Sequence, residues 1–178
     1  MNFVAMDFET ANHRSSSACS LALALIQNNQ IVDTFYTLIN PQESFNARNI
    51  AIHHIRPQDV QQAPTFDQIW PHIQKIFNLN NVVAAHNAPF DTRVLRATLA
   101  KYELQADPYL SIDTVRTSRK FYPQLPNHKL DTVAQALNIQ LQHHHHALAD
   151  TIACAEILLI TQQQVGEGPL KKMTKVIT

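Results

Sequence analysis

The segment Ser17–Gln27, SACSLALALIQ, is a long apolar run with no Gly or Pro in it. An unbroken run of this kind reads as a central strand, covered on both faces. Its neighbours extend the pattern. Residues Asn2–Phe8 alternate, with Phe3, Ala5, Asp7 and Glu9 on one strand face and Val4, Met6 and Phe8 on the other. Asn28-Asn29 is a turn, and Gln30–Asn40 is rich in β-branched and aromatic residues. Together they give a three-stranded antiparallel meander, closed by Pro41.

Downstream the periodicity changes. Short helices are expected over Asn49–Ile55, Phe66–Phe77 (with Pro71 inside it), Phe90–Tyr102, Thr114–Tyr122 and Leu130–Leu137, and a long one over Ala147–Gln164. Val82–His86 reads as a buried strand, and a further short strand ends in Ser111–Thr114. Hairpins followed by strand–helix alternation argue for an α/β fold, a mixed sheet with helices packed on it. At 178 residues one domain is expected, residues 1–165, followed by a short basic tail, 166–178, mobile in part.

Composition excludes several functions. The 14 basic and 14 acidic residues cancel, so this is no histone-like binder. The two cysteines, Cys19 and Cys154, sit in apolar surroundings and read as buried thiols. With no leader pattern and no long apolar span, a soluble, cytoplasmic protein is expected, without a membrane partner. Only two glycines occur, both near the end, which leaves no phosphate-cradling Gly loop. No G-x-S-x-G elbow is present.

What remains is carboxylates and histidine. Asp7 and Glu9 lie two apart on one strand face, where they repel unless a cation lies between them. Hard divalent ions prefer such oxygen ligands. Asp91 follows a strand and the breaker Asn87-Ala88-Pro89, and falls in a first helical turn. Asp150 falls in the first turns of the last helix. Each acid alone also fits an ordinary role: an exposed strand end, or a carboxylate favoured by a helix dipole. The run His143–His146 raises zinc, but consecutive residues on a short loop point in different directions, whereas structural zinc needs convergent ligands. One catalytic histidine on a loop suits it better, since imidazole titrates near neutrality. Acids plus one histidine favour metal-assisted hydrolysis.

The segments AMDFET, HNAPFD and HHALAD, in that order, resemble the three motifs of the DEDDh-type 3′–5′ exonuclease family. This DnaQ-like family includes the epsilon subunit of DNA polymerase III and the exonuclease domain of the Gram-positive replicative polymerase. The likeness covers about residues 3–160. It implies a ribonuclease-H-like fold, a five-stranded mixed sheet whose first three strands are antiparallel, flanked by helices. It implies two divalent ions, Mg²⁺ or Mn²⁺, held by Asp7, Glu9, Asp91 and Asp150. The H-x-A-x-x-D spacing makes His145 the general base, with a slip to His144 or His146 left open. Thr10, Ala11, His86, Asn87 and Phe90 correspond to substrate-contact positions, and His13 and Arg14 extend the first of these. Phe90 fits a core position equally well. The substrate implied is a single-stranded 3′ end, DNA rather than RNA, cut to 5′-mononucleotides in proofreading or repair, with a polymerase or repair partner. An RNA-trimming enzyme and a non-catalytic polymerase-associated module are the alternatives. Arg93, Arg96, Arg116, Arg119 and Lys120 form either a phosphate track or solvated helix faces.

Overall fold

The computed structural model describes residues 1–142 and 144–178. Three antiparallel strands open the chain: β1 (Phe3–Thr10), β2 (Ala18–Gln27) and β3 (Gln30–Leu38). The β2–β3 hairpin turns through Asn28 and Asn29, both at positive φ (51° and 63°). Two successive left-handed residues make the tight turn that matches strand twist, and Asn tolerates that conformation. Strand β2 is buried almost throughout, as its apolar run requires.

Next come α1 (Ala47–His53), α2 (Phe66–Ile73), β4 (Val82–Ala85), α3 (Ala88–Lys101), β5 (Tyr109–Asp113), α4 (Thr114–Phe121) and α5 (Leu130–Ala136). The long α6 (Ala147–Val165) follows. The strands run in the order β3-β2-β1-β4-β5, with β4 parallel to β1 and β5 parallel to β4. This is the expected mixed sheet with an antiparallel first half. Helix α2 is shorter than the apolar periodicity predicts. With Pro71 in its interior it gives way after Ile73 to a 3-10 turn, Gln74–Ile76.

The segment expected as a tail also differs. After Gly166, α7 (Glu167–Lys171) inserts the wholly buried Leu170 into the core. That anchor brings β6 (Lys175–Ile177) antiparallel onto β5 as a sixth strand. Burying Leu170 contributes about 1.5–3 kcal/mol toward ordering this segment.

The alternation in β1 sorts the two layers. Val4, Met6 and Phe8 join Phe66, Trp70, Leu95 and Leu99 in the core beneath α2 and α3. Phe3 and Ala5 join Cys154, Ala155 and Leu158 beneath α6. Asp7 and Glu9 therefore continue the α6-facing row of β1, beyond the point where apolar packing stops.

Candidate active site

Three elements deliver the acids. Strand β1 carries Asp7 and Glu9, and α6 presents Asp150 from its first turn. Carboxylate oxygens of these three residues lie within 4.8 Å of one another. Asp91 arrives from the first turn of α3. Its Oδ1 accepts the backbone N–H of Phe8 at 3.1 Å, which pins it under the strand between Asp7 and Glu9. Asp91 is 1% exposed and its Oδ2 has no hydrogen-bond partner among the described residues.

A buried, unpaired carboxylate oxygen costs desolvation energy unless something cationic meets it. Among the described residues no Lys or Arg forms an ion pair with any of the four acids. Their electrostatics follow. Burial first, and then the charges of Asp91, Glu9 and Asp150, push the Asp7 carboxyl well up from its ordinary value. Burial, with Asp150 and Asp91, pushes Glu9 up to about 8. Burial pushes Asp91 up to about 8, against the opposing Phe8 N–H. A divalent cation reverses every one of these penalties, so the donor set fits the metal that the sequence motifs imply.

This has a measurable consequence. Glu9 and Asp91 ordinarily titrate at 4.5 and 3.8 but are held at about 8 in the metal-free fold. Between those values the native protein keeps protons that the unfolded chain has released. The unfolded state then binds fewer protons, so stability falls as pH rises through that window. Calorimetric melting of the metal-free protein should show Tm declining from pH 5 to pH 8. At pH 8, Mn²⁺ or Mg²⁺ at about 100 times its Kd should restore about 2.7 kcal/mol. That corresponds to roughly 5–10 °C for a chain of this size. A Tm that rises with pH and ignores metal contradicts the arrangement.

The histidine loop is organised by Asp150. His144 Nδ1 lies 3.0 Å from Asp150 Oδ1, and the His145 N–H donates to Asp150 Oδ2 at 3.1 Å. His145 adopts φ 69°, and this turn stacks its ring on His144 at 3.9 Å between centroids. Ligand atoms of His144, His145 and Asp150 come within 4.8 Å. Consecutive histidines thus do converge here, contrary to the sequence expectation, because the left-handed turn brings successive side chains to one side. His146 turns away and stacks on Tyr36 of β3 at 4.8 Å. His143 lies outside the described residues. Burial and the neighbouring His144 lower the His145 pKa, which favours the neutral, proton-accepting ring.

The substrate-contact candidates divide. Asn87 caps α3 in a left-handed conformation (φ 75°), exposed, with its N–H on Asp113 Oδ1 and its side chain making no cap bond. Phe90 is half-buried against the core. His86 has both nitrogens engaged: Nδ1 is 2.8 Å from Thr114 Oγ1, and Nε2 is 3.0 Å from the His128 carbonyl. Burial lowers its pKa, which fits a neutral ring donating to that carbonyl. Thr10 is buried, and Ala11 wholly so, with its N–H on Ser17 and its carbonyl accepting from Asn46. Arg14 is exposed and within 4.0 Å of Glu43, and His13 is exposed beside it.

Sequence reading missed the support beneath Thr10. Asn49 Nδ2 donates to the Thr10 carbonyl at 2.9 Å, and His53 Nε2 lies 3.1 Å from the same oxygen. The signal was present: Asn49 and His53 are four apart, on one face of α1.

The sheet order and its carboxylate cluster define a class, the ribonuclease-H-like nucleases that work with divalent metal. The family described as RNase_T, Exonuclease, matches residues 4–158, and the chain belongs to it as a DEDDh-type 3′–5′ exonuclease domain. Among curated relatives, a DNA polymerase III PolC-type from Caldanaerobacter subterraneus subsp. tengcongensis is 31% identical over 176 residues, covering 98% of this chain and 12% of the relative. The Bacillus subtilis PolC-type polymerase is 29% identical over 168 residues, covering 93% of this chain and 12% of the relative. The chain thus spans about an eighth of the length of these relatives. Among solved structures, Exonuclease X in complex with 5′ overhanging duplex DNA superposes with TM-score 0.79 at 23% identity, covering 96% of both chains. E. coli Exonuclease I in complex with a dA16 oligonucleotide superposes with TM-score 0.81 at 16% identity, covering 93% of this chain and 42% of that one. Among the described residues no helix is long and apolar enough to cross a membrane.

Proposed function

We propose that this protein hydrolyses the terminal phosphodiester of single-stranded DNA and releases 5′-mononucleotides from the 3′ end. The observation that carries this reading is the convergence of Asp7, Glu9 and Asp150 within 4.8 Å, with Asp91 orphaned beside them. Two divalent ions, Mg²⁺ or Mn²⁺, held by Asp7, Glu9, Asp91 and Asp150, would supply Lewis-acid stabilisation of the charge developing on the phosphodiester and its leaving 3′ oxygen. His145, neutral at pH 7, accepts the proton of the attacking water. His144 holds Asp150 in place through its hydrogen bond. The free side chain of Asn87 and the half-exposed ring of Phe90 contact the terminal nucleotide. Thr10, Ala11 and His86 shape the wall behind it, each with its polar groups already committed.

The PolC-type polymerase names carried by the relatives support DNA as the substrate, and on the same likeness a polymerase or repair protein is the partner. A complete acid set argues against a purely non-catalytic module.

The test is an end-labelled single strand, DNA or RNA, incubated with Mg²⁺ or Mn²⁺. With a 3′ label on DNA, the first labelled product should be a mononucleotide; with a 5′ label, the strand should shorten stepwise. Label released first from a 5′ end, or turnover indifferent to EDTA, overturns the reading. Faster turnover of RNA transfers it to RNA trimming.

A further inference from the structure

Between α3, α4 and β6 lies a cleft of about 450 Å³. Its lining carries Arg93 and Arg96 from α3, Arg116 from α4 and Lys175 from β6, all exposed. One wall begins at Ala88 and Pro89, in the first turn of α3, the turn that also carries Asp91 and follows the cap residue Asn87. Arg93 and Arg96 are three apart and share a helix face. Among the described residues none of the four cations forms an ion pair with an Asp or Glu side chain, and Arg96 alone is engaged, its Nη2 donating to the Thr178 oxygen at 2.6 Å. The one acid in the lining, Asp113, spends its Oδ1 on the N–H groups of Asn87 and Val115.

Four cations drawn from three separate elements repel one another, and a solvated helix face explains only those that share a helix. Lys175 is the informative member, because it reaches the cleft only through the sixth strand. Arginine's planar fork and lysine's point charge both suit phosphate oxygens. Arg119 and Lys120, the other members of the predicted track, are absent from the lining, and Lys120 lies over the Phe121 ring instead.

We propose that this cleft binds the phosphate backbone of the single strand inward of the cleaved 3′ terminus. The proposal rests on the 3′-exonuclease reading for its polarity. Its physical content is that a polyanionic strand, leaving the acid site past Pro89, is held by Arg93, Arg96, Arg116 and Lys175.

The test uses the full chain with all four residues changed to Ala, and a fluorescent oligothymidylate about twelve nucleotides long. In EDTA, anisotropy titrations at several salt concentrations give the slope of log affinity against log salt. Each single-strand phosphate contact contributes about 0.7, so the slope should shrink by about 2–3. With Mn²⁺, KM for the same strand should rise at least about ten-fold, while hydrolysis of a dinucleotide, too short to reach the cleft, stays within about two-fold. A variant with Arg93, Arg96 and Arg116 changed to Lys keeps the charge, and should keep the slope. An unchanged slope in the four-fold variant, equal losses on both substrates, or no binding by the unaltered protein in EDTA overturns the proposal. Binding that shows the expected slope change in a protein without turnover supports the cleft and removes the exonuclease reading instead.

Discussion

Asp7→Ala should lower exonuclease turnover by at least about three orders of magnitude. Metal stabilisation of a reacting phosphoryl group supplies several kcal/mol, and each 1.36 kcal/mol is about tenfold in rate. On the proposed reading, Asp7 is one of the ligands that organise that stabilisation. Its carboxylate lies within 4.8 Å of those of Glu9 and Asp150, and the charge of Asp91, pinned through the Phe8 N–H, bears on it as well. Loss of one ligand therefore removes charge and misplaces what the others hold. The same substitution should leave the metal-free protein as stable as before or more so, since it deletes a half-buried carboxyl repelled by three neighbours. Gel-resolved turnover and calorimetric Tm, measured on the same preparation, separate the two effects. A lost activity with a collapsed Tm would make Asp7 a structural residue; undiminished turnover would remove it from the site.

His145→Ala should cost about 10²–10⁴-fold in kcat, the range typical of a positioned general acid or base. The neighbouring rings make this a comparison rather than a single measurement. His144 is the ring whose Nδ1 touches the Asp150 carboxylate, whereas His145 touches it through the backbone and leaves its ring free for a proton. His144→Ala is thus expected to loosen Asp150 and weaken metal binding, while excess Mn²⁺ recovers much of its activity. No excess of metal should recover His145→Ala. If the two behave the other way round, His144 is the base. His146, stacked on Tyr36, should tolerate Ala with near-normal kcat.

Much of this was legible in the chain before any geometry. The row Phe3, Ala5, Asp7, Glu9 read as one strand face, and that face turns from core to carboxylate cluster where α6 presents Asp150. The unbroken run at β2 read as a central strand, and it lies between β1 and β3, buried nearly throughout. Local pattern carries such information because strand alternation and burial are set residue by residue. What was not legible depended on long-range closure. Nothing in KKMTKVIT announces a strand; β6 forms because Leu170 finds a pocket in the folded core. The convergence of His144 and His145 depended on one left-handed turn, at a residue type that adopts it only occasionally. Asn49 and His53 serve the site through the Thr10 carbonyl, and a backbone oxygen has no letter in a sequence.

Two groups of ligand atoms compete for a cation near Asp150: Asp7 with Glu9, and His144 with His145. Hard oxygen ligands suit Mg²⁺ and Mn²⁺, whereas imidazole nitrogen suits zinc and other softer ions. On the proposed reading the carboxylates, not the imidazoles, hold the working metal. Crystals grown with Mn²⁺ and measured at an anomalous wavelength test it directly. Anomalous density is expected enclosed by Asp7, Glu9, Asp91 and Asp150, with both Asp91 oxygens engaged. Density confined to the His144–His145–Asp150 group, or none among the carboxylates, would contradict it.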